Sequence, residues 1–359
     1  MTGKAPDPPL VIVAGPTASG KSALALAVAE AFDGVVINAD SMQVYRDLAV
    51  LTGRPGPADE ARVPHRLYGF LPGGEACSAG RWRDLALAEI SEVHGAGRLP
   101  VVAGGTGLYL RALERGLSPI PPIPKAERAA ARARHAELGA AAFHAALAAR
   151  DPETAARLDP ADSQRLVRAW EVLEATGRPL SDWQRAPAEG TPPYRRLRLV
   201  LAPPRPALYA ACDRRFGEMM EKGALEEVRH LVALGLDPSL PIMKALGVPE
   251  LTRLLAGETG REEAIAAARQ ATRRYAKRQL TWLRTQFLDA AGAGREVSPH
   301  AEVGQPREDE AAEAGKAPRA TPPIEAAGEQ TWVINAQYSE TFNPKIFKII
   351  REFLLTPLT

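Results

Sequence analysis

The sequence predicts an α/β protein: a parallel sheet flanked by helices, interrupted by an inserted all-helical domain. Three observations carry this. Short runs rich in Val and Ile alternate with helical segments over residues 9–117, the order expected when crossover helices cover both faces of a parallel sheet. From Lys125 to about Gly177 the chain is mostly Ala, Arg, Glu and Leu, with helical periodicity and no strand-like run. An apolar run then returns at Arg198–Ala202.

Taken in order, Leu10–Ala14 is an apolar strand that ends in a glycine-rich turn, and Ser22–Phe32 follows as an alanine-rich helix. Val35–Ala39 is a second strand, ending in Asp40-Ser41. Trp82–His94 has helical spacing. Pro100–Ala103 is a third strand, running into Gly104-Gly105-Thr106-Gly107. Pro119-Ile120-Pro121-Pro122-Ile123-Pro124 forms a stiff linker into the helical block, which Pro192-Pro193 closes. Helices are then expected over Arg205–Leu234 and from Arg261 to about Phe287. Ala290–Gly328 is rich in Ala, Glu, Pro and Gly with almost no large apolar residue, and reads as a loosely ordered linker. Thr331–Asn335 reads as a final strand. Asn343 is placed to cap a last helix, with Pro344 at its first position. The apolar face of that helix (Ile346, Phe347, Ile349, Ile350, Phe353, Leu354) is expected to dock on the core. The expected division is a core of residues 9–117 and 195–288, an insertion of 118–194, a linker of 289–330 and a C-terminal strand and helix over 331–359.

Bulk properties narrow the class without naming a function. The 359 residues, 45% hydrophobic, suffice for one large core or two modest ones. The formal net charge is only +2, so a nucleic-acid partner has to be argued from where basic residues sit. The two cysteines, Cys77 and Cys212, are far apart, and no His cluster has metal-ligand spacing, so neither a disulfide framework nor a structural zinc site is expected. The polar, proline-rich start has no apolar h-region and no run spans a bilayer. A cytoplasmic monomer with no membrane association is expected.

Gly15-Pro16-Thr17-Ala18-Ser19-Gly20-Lys21-Ser22 matches G-x-x-x-x-G-K-[ST]. In that pattern glycines bring backbone N–H groups close to phosphate oxygens, and the following helix adds the positive end of its dipole. Lys21 would reach the outer phosphates of a di- or triphosphate, and the Ser22 hydroxyl would ligand Mg²⁺. With a strand before it and a helix after it, the motif makes the fold P-loop NTPase-like. The motif alone does not choose among kinases, NTPases and pyrophosphate-releasing transferases. In open α/β sheets ligands bind outside the carboxyl ends of the strands. Asp40 sits at such an end, suited either to holding Mg²⁺ or to acting as a general base. Thr106, in the glycine turn after the third strand, faces the same crevice. Arg269, Arg273 and Lys277 recur every four residues with Arg274 and Arg278 beside them and no acid in the run, a stripe suited to a polyanion.

With these residues in view, the chain resembles the tRNA dimethylallyltransferase family, also called tRNA isopentenyltransferases. The resemblance rests on ordered blocks: the phosphate loop; Asn38-Ala39-Asp40-Ser41-Met42-Gln43-Val44-Tyr45; Pro64-His65-Arg66-Leu67; Gly104-Gly105-Thr106-Gly107-Leu108-Tyr109; Gln164-Arg165-Leu166-Val167-Arg168-Ala169; and Ala271 through Arg284. It covers about residues 9–287. It implies transfer of a dimethylallyl group from dimethylallyl diphosphate to N6 of an adenosine beside the tRNA anticodon, with release of pyrophosphate and help from Mg²⁺. By motif position it implies Asp40 as base, Thr17, Lys21 and Arg215 on the diphosphate, and Thr106 and Arg128 on tRNA. Asp40, Ser41, Met42 and Gln43, together with Gln164, Arg165, Leu166, Val167 and Arg168, are its tRNA-facing segments, and the helical insertion would embrace the anticodon stem-loop. A small-molecule kinase, a prenyltransferase of free adenine nucleotides and an RNA-binding module with a vestigial loop remain the alternatives. The family usually passes quickly from Thr281-Trp282-Leu283-Arg284 to a closing strand, where this chain inserts residues 290–328.

Overall fold

The computed structural model describes residues 7–188, 193–288, 295–297, 329–338 and 343–355. The chain forms two compact units: Met1–Leu113 with Pro193–Thr359, and Glu114–Pro192. The expected insertion, 118–194, falls close to the second.

The first unit is built on seven parallel strands: β1 (Pro9–Ala14), β2 (Gly34–Asn38), β3 (His65–Arg66), β4 (Leu99–Gly104), β5 (Arg195–Leu201), β6 (Arg295–Val297) and β7 (Glu329–Ile334), in the order β3-β2-β4-β1-β5-β7-β6. The central strands are buried on both faces, which is why they read as continuous apolar runs and not as alternating ones. Most of the proposed linker lies outside the described residues, but Arg295–Val297 within it forms β6, paired to β7. β3 also escaped the sequence reading, because a two-residue strand carries no period.

Before the insertion come α1 (Lys21–Ala31), a short α2 (Pro57–Glu60), α3 (Ala79–Gly95) and α4 (Gly107–Arg115). The second unit is all helical: α5 (Lys125–Ala148), α6 (Pro152–Ala156), α7 (Ser163–Thr176) and α8 (Leu180–Arg185), packed around Phe143, Leu147, Leu166, Val172 and Leu173. Asp151, almost fully buried, ties it together by accepting from Thr154 N–H (3.1 Å) and Ser181 N–H (3.2 Å).

After β5 come α9 (Arg205–Glu221), α10 (Ala224–Ala233), α11 (Val248–Leu255), α12 (Arg261–Leu283) and α13 (Asn343–Leu355). The helical stretch expected over Arg205–Leu234 breaks at Gly223, whose φ of 94° lies in the left-handed region that glycine accepts without strain. The predicted helix to Phe287 ends at Leu283 and continues as a π-helical turn, Arg284–Leu288.

α13 buries Ile346, Ile349, Ile350 and Phe353 against residues of β1, α1 and β5. The Arg195 guanidinium lies 4.7 Å from the Phe353 ring. β7 is fastened to β5 by Glu329, whose carboxylate oxygens accept from Arg196 and Arg198, each at 2.9 Å. The closing strand and last helix are therefore integral to the core.

Candidate active site

Register sets the site. Ala14 of β1 lies opposite Gly104 of β4, and Asn38 of β2 opposite Ala103. The three strands are neighbours and end level, so the phosphate loop, Asp40 and Thr106 leave the same edge of the sheet. Gly15 N–H donates to Gly104 O (3.4 Å), Ala39 N–H to Ala103 O (2.8 Å) and Thr106 N–H to Ala39 O (3.2 Å). A Cβ on Gly104 would stand 2.2 Å from the Ala39 carbonyl. No side chain fits there, which is the physical reason for glycine at that position.

The phosphate loop folds as its motif requires. Gly20 has φ 90° and Ala18 φ 61°, and α1 begins at Lys21. The Lys21 ammonium is buried, and its Nζ lies 3.5 Å from the Pro16 carbonyl. Burial pushes its pKa down to about 8, with Asp40 opposing the shift and Arg215 adding to it. Arg215, on α9, donates to Thr52 O at 3.3 Å. Its pKa is lowered by burial and held up by Asp40. Lys21, Arg215 and Asp40 thus share one electrostatic site, two cations beside one carboxylate. Cys212 is buried there too, and burial raises its thiol to about 11, leaving it protonated.

Asp40 is held by main-chain geometry. Its N–H donates to Asn38 Oδ1 (2.8 Å), its carbonyl accepts from Asn38 Nδ2 (3.0 Å), and its Oδ1 accepts from Met42 N–H (2.9 Å). Asn38 is fixed in turn by Trp82, whose indole N–H donates to the Asn38 carbonyl at 2.8 Å while its ring stacks on Tyr109 at 4.4 Å. Ser41 N–H donates to Thr106 Oγ1 (2.9 Å), which joins the Asp40 loop to the glycine turn. Burial raises the phenol of Tyr275, on α12, well above its usual range, with Asp40 adding to the shift and Thr106 opposing it.

The expected tRNA-facing residues separate by role. Gln43 is buried, and its Nε2 donates to the carbonyls of Thr52 (3.0 Å) and Gly53 (3.2 Å), so it shapes the loop after Asp40. In the helical unit Arg128, Gln164 and Arg165 are exposed, while Arg168 pairs with Glu171 at 3.3 Å. Leu166 is a correction: it is fully buried in that unit's core, because it faces the apolar side of α7, and it holds the helix instead of facing a ligand.

The basic stripe is also redrawn. Arg273 pairs with Asp213 of α9 (2.5 Å), and Arg269 Nη2 lies 3.3 Å from the position of a Cβ on Gly217 of the same helix. The outward residues are Arg274, Lys277, Arg278, Thr281, Trp282 and Thr285, which line an open groove of about 490 Å³. The sequence reading gave no role to two further features. Gln337 Nε2 donates to Ala18 O (2.7 Å) and Tyr338 N–H to Ser19 O (3.1 Å), so the segment after β7 backs the phosphate loop. Gln279 bridges the loop to the glycine turn, with its oxygen on Thr17 N–H and its nitrogen on Gly105 O.

A crevice lined by Thr17, Leu51, Arg215, Phe216, Met219 and Leu246 lies against the loop. Arg215 and Met219 also line a cavity of about 560 Å³ with Gly53, Arg54 and Lys222. A phosphate loop, a fixed carboxylate and a partly apolar crevice, beside a basic groove on the same unit, are the parts that group transfer from a phosphorylated apolar donor requires.

Comparison with known proteins decides the family. The model of the IPP transferase family matches residues 43–286, and that of isopentenyl transferases matches residues 8–69. The chain belongs to the IPP transferase family. It is 63% identical over 283 residues to a tRNA dimethylallyltransferase of Rhodospirillum centenum, covering 79% of this chain and 90% of that one. It is 57% identical to one of Rhodospirillum rubrum, covering 78% and 86%. The crystal structure of a tRNA isopentenylpyrophosphate transferase from Bacillus halodurans matches with a TM-score of 0.61 at 29% identity, covering 96% of both chains. A eukaryotic dimethylallyltransferase acting on tRNA matches with a TM-score of 0.67 at 26% identity, over 77% of this chain and 70% of that one. The P-loop NTPase-like sheet expected from the sequence is the family's fold. Among the described residues no helix is long and apolar enough to cross a membrane.

Proposed function

We propose that this chain transfers the dimethylallyl group of dimethylallyl diphosphate to N6 of adenosine 37 in tRNA, in the cytoplasm and as a monomer. The N6–C1 bond forms, the C1–O bond to the diphosphate breaks, and pyrophosphate leaves. The observation that carries the reading is the pair of cations, Lys21 and Arg215, beside Asp40 at the level ends of β1, β2 and β4. The loop N–H groups and these cations take the charge that grows on the leaving diphosphate. Asp40, half-buried and fixed through Met42 N–H, is the acceptor for the N6 proton. Leu51, Phe216, Met219 and Leu246 give the crevice an apolar wall for the donor's tail to lie against.

The residues present also fit Mg²⁺. It keeps most of its waters and is usually held by one or two protein oxygens plus substrate phosphates. Among the described residues no cluster of three or more His, Cys, Asp or Glu could hold a metal unaided. The exposed Ser22 hydroxyl, in the first turn of α1, would hold the ion together with the diphosphate, and the bound ion would neutralise leaving-group charge. The adenine has to leave its stack to reach Asp40, at a cost of about a few kcal/mol. The groove of Arg274, Lys277 and Arg278 offers phosphate contacts against that cost. On the second unit, Arg128, Gln164 and Arg165 offer exposed polar groups for the anticodon stem-loop.

The test is incubation with dimethylallyl diphosphate, Mg²⁺ and a tRNA bearing adenosine at position 37, followed by digestion and nucleoside analysis. N6-(dimethylallyl)adenosine is the expected product. Its absence in the presence of intact tRNA binding would refute the reading.

A further inference from the structure

Gln279 is 5% exposed, a carboxamide buried near the C-terminal end of a helix whose outward face is basic. Both ends of that amide are used. Oε1 accepts from Thr17 N–H at 2.8 Å, and Nε2 donates to Gly105 O at 2.9 Å. One acceptor and one donor meet one donor and one acceptor, so a carboxamide is matched in both polarity and reach. The space is committed to it, since a Cβ on Gly105 would stand 2.4 Å from Nε2. Three residues further along α12, the Trp282 ring fills the space a Cβ on Gly107 would need, at 2.4 Å. Trp282 also lines the basic groove with Arg274, Lys277 and Arg278. One helix therefore grips the Gly105–Gly107 turn twice, holds the phosphate loop once, and carries the polyanion-facing surface.

We propose that Gln279 is a positioning residue: its carboxamide locks the phosphate loop at Thr17 to the turn bearing Thr106, which fixes the donor's diphosphate relative to Asp40. This inference rests on the proposed prenyl transfer. It reaches the reacting atoms only through Thr17 and Gly105, and RNA binding by the outward face of α12 does not depend on it.

Two variants test it. Gln279→Met keeps length and apolar volume but leaves Thr17 N–H and Gly105 O without their buried partner. The expected result is a rise of about tenfold or more in KM for dimethylallyl diphosphate, and the same loss in affinity for inorganic pyrophosphate by calorimetry. The fall in kcat should be smaller, and the Kd for tRNA by gel shift should stay within twofold. Gln279→Glu is the diagnostic variant. An ionised carboxylate cannot donate to Gly105 O, but a protonated one has the donor and acceptor pattern of the glutamine. Its pKa is raised by burial and by the facing carbonyl, so activity should recover as pH falls. The titrating groups near the clamp are Lys21, Asp40, Arg215 and Tyr275. They are common to both proteins, so the ratio of variant to wild type isolates residue 279.

A ratio that rises toward one at low pH, with Gln279→Met showing no such recovery, supports the clamp. A flat ratio, or a pyrophosphate affinity in Gln279→Met within twofold of wild type, overturns it. Should Gln279→Met fail to fold, the pH series of Gln279→Glu alone decides. Failure of the wild-type protein to bind pyrophosphate or to prenylate tRNA is a different result, and refutes the function instead.

Discussion

Replacing Asp40 by Asn separates the base from the scaffold. The structure gives residue 40 three local hydrogen bonds: its N–H to Asn38 Oδ1, its carbonyl from Asn38 Nδ2, and its Oδ1 from Met42 N–H. The first two use only main-chain atoms of residue 40. The third survives in Asn, whose amide oxygen still accepts. Stability should therefore be nearly unchanged, whereas Asp40→Ala gives up the Met42 bond at a cost of about 1 kcal/mol. Activity should behave otherwise. A positioned general base is worth about 10²–10⁴-fold, or about 3–5 kcal/mol of barrier, so single-turnover transfer by Asp40→Asn should fall by that factor at saturating substrates. A second consequence follows from the charges. Asp40 holds the Lys21 pKa up at about 8 against burial, so Asp40→Asn should move the basic limb of pyrophosphate binding to lower pH. Affinity for tRNA should hold or rise slightly, because a negative charge has left a surface that meets a polyanion. The assay is rapid-quench transfer to an anticodon stem-loop, paired with a gel shift and a thermal melt. The assignment of Asp40 as base fails if the rate stays within tenfold of wild type, or if RNA affinity falls as far as the rate.

Pyrophosphate affinity of the unmodified protein should decline above about pH 8, as Lys21, lowered to about 8 by burial, loses its proton; calorimetry showing constant affinity well above that pH would contradict this. Gly105→Ala puts a Cβ 2.7 Å from the Gly15 carbonyl as well as against Gln279. The backbone cannot yield cheaply, so urea melts should show a loss of about 1–3 kcal/mol. Glu329→Gln weakens the pairing of β7 with Arg196 and Arg198. With the carboxylate a third exposed, the cost is discounted from that of a buried pair to about 1–3 kcal/mol. Burial raises the Glu329 pKa, but Arg198 and Arg196 outweigh it and hold the carboxyl below its usual value. The stabilisation is therefore present at neutral pH and lost as pH falls through the carboxylate range, so the difference between variant and wild type should shrink in acid melts.

The parallel sheet, the phosphate loop and the strand-end positions of Asp40 and Thr106 are readable from the order of residues, because these depend on short-range rules. Buried parallel strands are unbroken apolar runs, and a glycine-rich turn between strand and helix has few other uses. Composition and period also change together near residues 118 and 194, which sets the expected borders of the helical insertion. Pairings between residues far apart in the chain were decided only by the tertiary structure. Arg273 and Arg274 look alike in a helical stripe, but Asp213 claims one and the other stays exposed. Leu166 sits in a polar, basic segment, and only the packing of α7 shows it to be core. Gln337 has no periodic or motif signature, and Gln279, although inside the Ala271–Arg284 block, draws no role from it, because their partners are groups that the fold brings from about 170 to 320 residues away in sequence. The sheet edge was legible because each strand end carries its own signal; the clamps that hold those ends in register were not, because a hydrogen bond across the fold leaves no trace in the order of residues.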